Sequence, residues 1–219
     1  GRRKSMAIAV TLQPYERTLT DAEILRARPG LLADLPRLSY AAAACEMVDQ
    51  LSLDHEPNRR LYQCLTGVLG GIEEVAPVQL EALFWYYQLR LAEALGYRPE
   101  LANCANCGDQ LPPEAAWLSP RLGGSICREC GRQAAEDQEG EGAPDYLRAR
   151  RISADSLRLL TTLQGLRTYT REAIPAAPPH RRDEVRVLLR SFLEYHGGTS
   201  GRLRSLEFLD AMGVEARSV

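Results

Sequence analysis

Four of the six cysteines lie in two C-x2-C pairs, and this spacing limits the fold of the chain more than any other feature. The pairs are separated by nineteen residues in the stretch CANCGDQLPPEAAWLSPRLGGSICREC. Such pairs either close disulfides or direct four thiolates at one metal ion. A C-x2-C turn brings two sulfurs to one side of a tight loop, and two such turns supply the tetrahedral ligands that Zn²⁺ prefers. The spacing therefore predicts one zinc ribbon, with these ligands: Cys104, Cys107, Cys127 and Cys130.

The residues around the pairs are typical of metal-binding turns. Gly108 follows the first pair and Gly131 the second, where such a knuckle tends to need a positive φ. Between the pairs the sequence alternates as a hairpin does, and we expect it to turn at Gly123 and Gly124. Because all four expected ligands are thiolates, no coordination position is left for water or substrate, and the predicted role is structural. A redox-active C-x2-C is the rival interpretation, but it requires a thiol at a helix N-terminus. We expect neither pair to open a helix.

Most of the remaining chain has apolar residues at helical spacing. Residues 78–96 are apolar nearly all round, which predicts a helix at the centre of a bundle that stops at Gly96. Ser153 is predicted to cap a later helix. Cys45 and Cys64 lie on apolar stripes and are predicted to be small core residues. Further helices are predicted after Leu35, along a stripe from Leu61 to Ile72, around Val185 to Phe192, and in RSLEFLDAMG; residues 6–12 and 17–20 are predicted to be short strands.

No pattern in the sequence indicates catalysis. The three histidines, His55, His180 and His196, lie in no metal or nucleophile motif, and the phosphate-loop, dinucleotide and G-x-S-x-G motifs are absent. No apolar run approaches the roughly 20 residues that cross a bilayer, and the start has no secretory apolar stretch. We therefore expect a protein that is not an enzyme and does not bind membranes. We expect it in the cytoplasm, where thiols stay reduced.

The formal charge of −2 conceals an uneven distribution of charged residues. Residues 1–33 carry +3, residues 34–145 carry −10 and residues 146–219 carry +5. A basic front and back around an acidic middle suggests a face that binds a polyanion. A compositional preference for arginine is the alternative explanation.

Three features in order resemble the RecO family of bacterial recombination mediators. They are GRRKS followed by TLQPY at 11–15, the helical block with its cysteine pairs, and RLRSLEFL at 202–209. The segment TDAEILRARPGLLADLPRLSYAAAACEMVDQL at 20–51 is similar to the family's junction into its first large helix, so the resemblance extends over essentially the whole chain. It implies a mainly α fold, with a helical bundle domain at 34–219 that carries the four-cysteine zinc ribbon as an insertion at about 100–133. Before it, residues 1–33 would form the remnant of an OB-fold barrel and the junction.

The same resemblance implies a non-catalytic role in recombinational DNA repair. Members of the family bind single- and double-stranded DNA and anneal complementary strands. They help to load RecA together with RecR, single-stranded-DNA-binding protein and, in many bacteria, RecF. We accordingly expect a cytoplasmic, nucleoid-associated protein.

The sequence departs from the family pattern at the OB-fold. A full barrel needs roughly 70–80 residues, yet only about 30 precede the helices here. Either the chain is a fragment or most of the barrel is lost. The alternative function is therefore a zinc-ribbon adaptor that binds only protein partners.

Two basic clusters match family positions that contact DNA. Arg2, Arg3 and Lys4 match the basic loop and are expected to neutralise phosphates, although a disordered basic terminus is the alternative. In RLRSLEFL, Arg202 and Arg204 are expected either to reach phosphate or to brace the final helix. A further basic cluster, at 148–151, follows the acidic stretch EDQEGEGAPD. We interpret the acidic stretch as a mobile loop.

Overall fold

The computed structural model describes residues 28–51, 58–111, 115–136, 147–197 and 203–211 of the 219-residue chain. Within these ranges the fold is mainly helical with one small sheet, as predicted. The predicted strands at 6–12 and 17–20 lie outside the described residues, as does nearly all of the acidic stretch EDQEGEGAPD. In the described ranges, no helix has both the length and the apolar character needed to cross a membrane.

Seven α-helices and three strands follow one another in the described residues. Three short 3-10 turns, at Pro29–Leu32, Pro77–Gln79 and Pro179–Arg181, accompany them. The helices are α1 (Leu35–Leu51), α2 (Arg59–Glu74), α3 (Leu80–Ala94), α4 (Arg128–Glu136), α5 (Ala154–Gly165), α6 (Arg182–Gly197) and α7 (Arg204–Ala211); the strands are β1 (Ala115–Ser119), β2 (Gly124–Ile126) and β3 (Arg150–Ser153).

The chain divides into two compact units. Unit 1 comprises Gly1–Phe84, Thr170–Ala176 and Arg202–Val219. It therefore contains α1, α2, α7 and the first turn of α3. Unit 2 comprises Trp85–Tyr169 and Ala177–Gly201, and holds the rest of α3, the sheet, α4, α5 and α6.

In unit 1, α2 forms where the apolar stripe predicts it. The side chain of Asn58 caps its N-terminus by accepting hydrogen bonds from the amides of Arg60 and Leu61, both at 3.1 Å. This cap satisfies two of the amides that a helix start leaves without partners. The stripe is buried at Leu61, Leu65, Val68, Leu69 and Ile72. Cys45 and Cys64 are only half-buried, so the prediction that they are core residues holds in part.

The C-terminal end of α2 is held by an arginine from the start of α1. The guanidinium of Arg37 donates to the carbonyl oxygens of Ile72 and of Val75, the latter at 2.8 Å. It also pairs with Asp34 at 3.1 Å. Because the last carbonyls of a helix lack intrahelical donors, this arrangement satisfies them and joins α1 to α2.

Unit 2 is built around an antiparallel sheet with strand order β2-β1-β3. Trp117 of β1 faces Ile126 on one side and Arg151 on the other. The third strand, β3, was not predicted from the sequence. Residues of α3 in this unit are buried nearly all round, as predicted, and so are Leu160, Leu163, Val185, Leu188, Leu189 and Phe192.

Ser153 caps α5, as predicted, by accepting a hydrogen bond from the amide of Ser156 at 3.3 Å. Glu184 of α6 reinforces this cap, because its carboxylate accepts from the amide and hydroxyl of Ser153 and from the hydroxyl of Ser156. Burial opposes ionisation of Glu184, but these hydrogen bonds hold the pKa of its carboxyl below the usual value. These hydrogen bonds join the start of α5 to the first turn of α6.

Candidate metal centre

The sulfur atoms of Cys104, Cys107, Cys127 and Cys130 lie within 4.8 Å of one another. The first pair sits in the loop between α3 and β1, and the second follows β2. The sequence prediction that the four cysteines converge is therefore confirmed as geometry. The sulfurs of Cys107 and Cys127 are 3.9 Å apart, so they are not joined as a disulfide.

Backbone hydrogen bonds shape the turn of the first pair. The amide of Gly108 donates to the carbonyl of Cys104 at 2.9 Å, and the amide of Cys104 donates to the carbonyl of Asp109 at 2.7 Å. Gly108 has φ +81°, as predicted, a conformation that residues with a Cβ adopt rarely. The closed turn points both sulfurs to one side.

The hairpin between the pairs is also confirmed. Strands β1 and β2 pair through Ser119 and Gly124, and the amide of Gly123 closes the turn on the carbonyl of Pro120 at 3.1 Å. Gly123 has φ +80°. The hairpin carries the second cysteine pair back to the first.

Two expectations about the second pair are wrong. Cys127 immediately precedes α4 and Cys130 lies in its first turn, so this pair does open a helix. Gly131 lies within α4 and is not among the positive-φ glycines of the described residues. It is small for another reason, because a Cβ at this position would lie 2.3 Å from Cδ1 of Trp117. A redox-active pair requires a thiol at a helix N-terminus, and the second pair meets this requirement. The convergence of four sulfurs is therefore the observation that favours a metal ion.

The geometry fits a tetrahedral ion with soft ligands. A Zn–S distance of about 2.3 Å in a tetrahedron places neighbouring sulfurs about 3.8 Å apart. The observed 3.9 Å between Cys107 and Cys127 is close to this value. Four thiolates would fill such a site completely, so they could hold a structural ion but offer no position for substrate.

Hydrogen bonds to the sulfurs support negative charge at two cysteines. The amide of Cys127 donates to Sγ of Cys104, and Nδ2 of Asn106 donates to Sγ of Cys130, both at 3.3 Å. Burial opposes ionisation of Cys104, but the backbone amides of Cys107, Cys127 and Asn106 lower the pKa of its thiol to about 6. Asn106 was not predicted from the sequence, where its place inside the first pair is the one signal that points to it.

Neighbouring groups oppose ionisation of the Cys107 and Cys130 thiols. The amide of Asp109 favours the Cys107 thiolate, but the Cys104 sulfur and the Asp109 carboxylate raise the pKa of Cys107 to about 12. Asn106 favours the Cys130 thiolate, but burial and the sulfurs of Cys127 and Cys104 raise the pKa of Cys130. Four thiolates this close repel one another, and a bound cation would remove that repulsion.

The apolar core around the four cysteines is small. Its buried members are Cys104, Ile126, Cys130, Ala134 and Ala149. Trp117 packs at its border, between Gly131 and the guanidinium of Arg151, whose carbon lies 5.4 Å from the ring centre. Because two of the five core members are expected ligands and two are alanines, hydrophobic burial alone gives this module little stability.

The expected DNA-binding residues are placed only in part. Arg2, Arg3, Lys4 and Arg202 lie outside the described residues. Arg204 is the exposed first residue of α7. The helix itself is held by Glu46 of α1, whose buried carboxylate accepts from the amide of Ser205 at 3.2 Å. In RLRSLEFL, the backbone amide of Ser205 therefore contributes a hydrogen bond that joins α7 to α1, while the role of Arg204 stays a prediction.

Replacement of Glu46 by alanine is expected to lower the free energy of unfolding by about 1–3 kcal/mol, because the partly buried amide of Ser205 loses its acceptor. Urea unfolding measures this loss, and hydrogen exchange of α7 amides should show earlier opening of that helix. Glu46→Gln keeps an oxygen that can accept the bond. Asp49→Ala, at an exposed position of the same helix, is the matched control. Equal stability of Glu46→Ala and Asp49→Ala would contradict the proposed docking contact.

The sequence profile of the family described as Recombination protein O C terminal matches residues 32–207. The chain belongs to the RecO family. A relative named DNA repair protein RecO from Anaeromyxobacter sp. (strain Fw109-5) is 33% identical over 196 residues, which cover 89% of this chain and 70% of the relative. Proteins of the same name from Rubrobacter xylanophilus and Pelotomaculum thermopropionicum are 34% and 28% identical. These matches cover 73% and 97% of this chain, and 63% and 84% of the respective relatives.

Proposed function

We propose that this RecO-family chain is a non-catalytic DNA-binding protein of recombinational repair. In this role it promotes the annealing of complementary strands and the loading of RecA, together with RecR and single-stranded-DNA-binding protein, and with RecF where the cell has it. The observation that carries the proposal is the family match over 32–207, joined to relatives that are named for DNA repair. The proposed location is the cytoplasm, with association to the nucleoid.

The four cysteines are proposed to hold Zn²⁺. In the described ranges, they are the group of potential ligands whose donor atoms are close enough to share an ion. The ion would fix the two turns and α4 in place as a zinc ribbon at about 100–133, inserted in a helical domain at 34–219. Residues 1–33 are proposed to be the remnant of an OB-fold and the junction.

The basic cluster at Arg2, Arg3 and Lys4 is proposed to contact phosphates. Neutralised phosphates release counterions, so binding should weaken steeply as salt rises. Replacement of all three residues by glutamate is expected to reduce the slope of log affinity against log salt by about 2, since each phosphate contact on a single strand contributes about 0.7. Fluorescence anisotropy with a labelled single-stranded oligonucleotide measures this slope.

The matched control reverses charge elsewhere. Arg59 and Arg60 are exposed at the start of α2, and their glutamate variant should keep the original slope. Equal slopes for the wild type and the Arg2, Arg3, Lys4 variant would exclude those three residues from the DNA contact.

A protein-binding adaptor is the second candidate. The charge of −10 over residues 34–145 favours it, because an acidic body repels a polyanion. A gel shift with single-stranded DNA, with and without RecR, separates the two. A shift by the chain alone supports DNA binding, whereas a shift only in the presence of RecR supports the adaptor. Absence of turnover of a labelled oligonucleotide with magnesium is expected in both cases.

A further inference from the structure

Tyr97 is one of the few large apolar side chains exposed in the described residues, with 43% of its surface accessible. It follows α3, where Gly96 has φ +88° and the amide of Tyr97 donates to the carbonyl of Ala92 at 2.8 Å. This helix-ending turn fixes the backbone that carries the ring. The exposure of Tyr97 therefore results from a defined turn rather than from a loose chain end.

The ring of Tyr97 stacks on His196 of α6. The two ring centres are 4.9 Å apart with an interplanar angle of 23°. His196 is itself held by Phe192, 4.4 Å away, and by Tyr195, whose ring meets it edge-on at 4.9 Å. We call Tyr97, Phe192, Tyr195 and His196 the aromatic cluster. His196 covers part of the Tyr97 ring, and the 43% of the Tyr97 surface that stays exposed is available for a further stacking partner.

His196 also ties the cluster to the hairpin. It forms a hydrogen bond with the backbone of Pro120, and because proline has no amide hydrogen the imidazole must donate to the carbonyl. Nε2 of His196 is buried and has no hydrogen-bond partner among the described residues. Burial lowers the pKa of His196, so the ring is neutral at physiological pH. A neutral aromatic stack suits an uncharged planar group.

Two arginines are adjacent in sequence to residues of this site: Arg98 to Tyr97, and Arg121 to Pro120. Arg121 follows Pro120, is exposed, and forms no ion pair with another described residue. Arg98 follows Tyr97 and is 58% exposed; its nearest carboxylate, Glu93 at 4.0 Å, also pairs with Arg90 at 2.5 Å. Glu93 thus serves two guanidinium groups, and Arg98 also lies close enough to Glu100 to help lower the pKa of that carboxyl. Arg121 is therefore the more weakly compensated of the two cations.

Two further acidic residues, Glu100 and Glu194, lie near the cluster in the chain. The carboxylate of Glu100 accepts hydrogen bonds from the amides of Ala102 and Asn103 at 2.8 and 3.0 Å. Glu194 lies two residues before His196, on the opposite side of α6, since residues two apart on a helix do not share a face. The cluster therefore combines a neutral aromatic stack with two exposed arginines, of which Arg121 forms no ion pair with another described residue.

We propose that the aromatic cluster is a stacking site for one base of single-stranded nucleic acid, with Arg98 and Arg121 contacting the adjoining phosphates. Every base has a π-face, so stacking on an aromatic platform tolerates any sequence, and flanking cations follow the backbone. A single-stranded polyanion with exposed planar bases matches both features of the site. This inference rests on the proposed DNA-binding function, to which it adds a location separate from the N-terminal basic cluster.

The test uses the full chain and a single-stranded oligonucleotide carrying 5-iodouracil. Irradiation is expected to crosslink the oligonucleotide to Tyr97, as identified by mass spectrometry of the digested complex. In anisotropy titrations, Tyr97→Ala should weaken binding about tenfold, because loss of one stacked base costs about 5- to 100-fold in affinity. Tyr97→Phe should bind within about twofold of the wild type, since it keeps the ring.

Two matched controls keep the test specific. Phe208, 53% exposed on α7 in unit 1, provides an aromatic control, and Phe208→Ala should leave affinity unchanged. Arg121→Ala should lower the salt slope by about 0.7, whereas Arg60→Ala, at an exposed position in unit 1, should leave it unchanged. Thermal unfolding verifies that each variant is folded.

The outcomes separate this inference from the function on which it rests. Wild-type binding with equal affinity of Tyr97→Ala, or crosslinks only at other residues, would overturn the stacking site and leave the DNA-binding proposal intact. Absence of any binding by the wild type would overturn both. Binding of an acidic, phenylalanine-ended peptide that depends on Tyr97, with no effect of Tyr97→Ala on DNA, would assign the cluster to a protein partner and overturn the inference.

Discussion

Removal of the proposed metal ion from the four-cysteine centre is expected to unfold the segment proposed as a zinc ribbon, at about 100–133. The core around the four cysteines has few buried members, and two of them are cysteines, so bonds to the proposed ion would supply most of its stability. Structural Zn²⁺ contributes about 10–16 kcal/mol to small domains of this kind, far more than this core can replace. Cys104→Ser should have the same effect as a chelator, because it removes one of the four proposed thiolate ligands and so weakens binding of the ion.

Trp117 makes the unfolding visible. The protein has two tryptophans, and Trp85 is buried in α3 with 1% of its surface exposed. In a Trp85→Phe background, the emission of Trp117 should shift to longer wavelength when the ion leaves, while elemental analysis of the untreated protein should give one zinc per chain. Cys45→Ser, at a half-buried cysteine of α1, is the matched control and should retain the ion. Unchanged Trp117 emission after complete removal of the ion would contradict a structural role.

Gly131→Ala is expected to destabilise the same module by about 2 kcal/mol, even though alanine is the better helix former. The added Cβ would lie 2.3 Å from Cδ1 and 2.4 Å from Cγ of Trp117, at the rigid inner edge of the indole. Since Arg151 covers the ring and β1 fixes its backbone, Trp117 has little freedom to move away. Thermal or urea unfolding measures the loss.

Gly67 offers a matched control in another helix. It lies within α2, and a Cβ there would meet no atom within 4 Å. Gly67→Ala should therefore stabilise the protein by about 0.5–1 kcal/mol, so the same substitution has opposite signs at the two sites. Combination of Gly131→Ala with Trp117→Leu should recover part of the loss, because the smaller side chain vacates the space. Purely additive effects would show that the indole contact is not the cause.

Local patterns predicted the parts of the fold whose stability is local. The stripe from Leu61 to Ile72 repeats at helical spacing, and burial of that stripe is what holds α2 in place. Ser153 caps α5 because an N-cap requires only the amide three residues later. The hairpin was predictable for a similar reason, since its turn depends on Gly123.

Helix α4 and strand β3 were not predictable in this way. The α4 sequence RECGRQAAE has a glycine near its centre and few apolar residues, so no local pattern indicates a helix. It forms because Cys130, Gly131 and Ala134 pack on the small module core. Strand β3 has one apolar residue and pairs with β1, which lies more than thirty residues earlier in the chain. Strand formation of this kind depends on the partner strand more than on intrinsic propensity.

The sequence by itself determined the cysteine spacing, and with it the kind of site, because two C-x2-C turns can converge on one ion wherever the intervening chain folds back. It also determined the helical body, since periodic apolar residues must be buried together. Only the tertiary structure decided that the second pair opens a helix. It also decided that position 131 must be glycine, because a Cβ there would clash with Trp117, and that the Tyr97 ring stacks on His196. These are contacts between residues distant in the chain, and their energies depend on positions that no local pattern encodes.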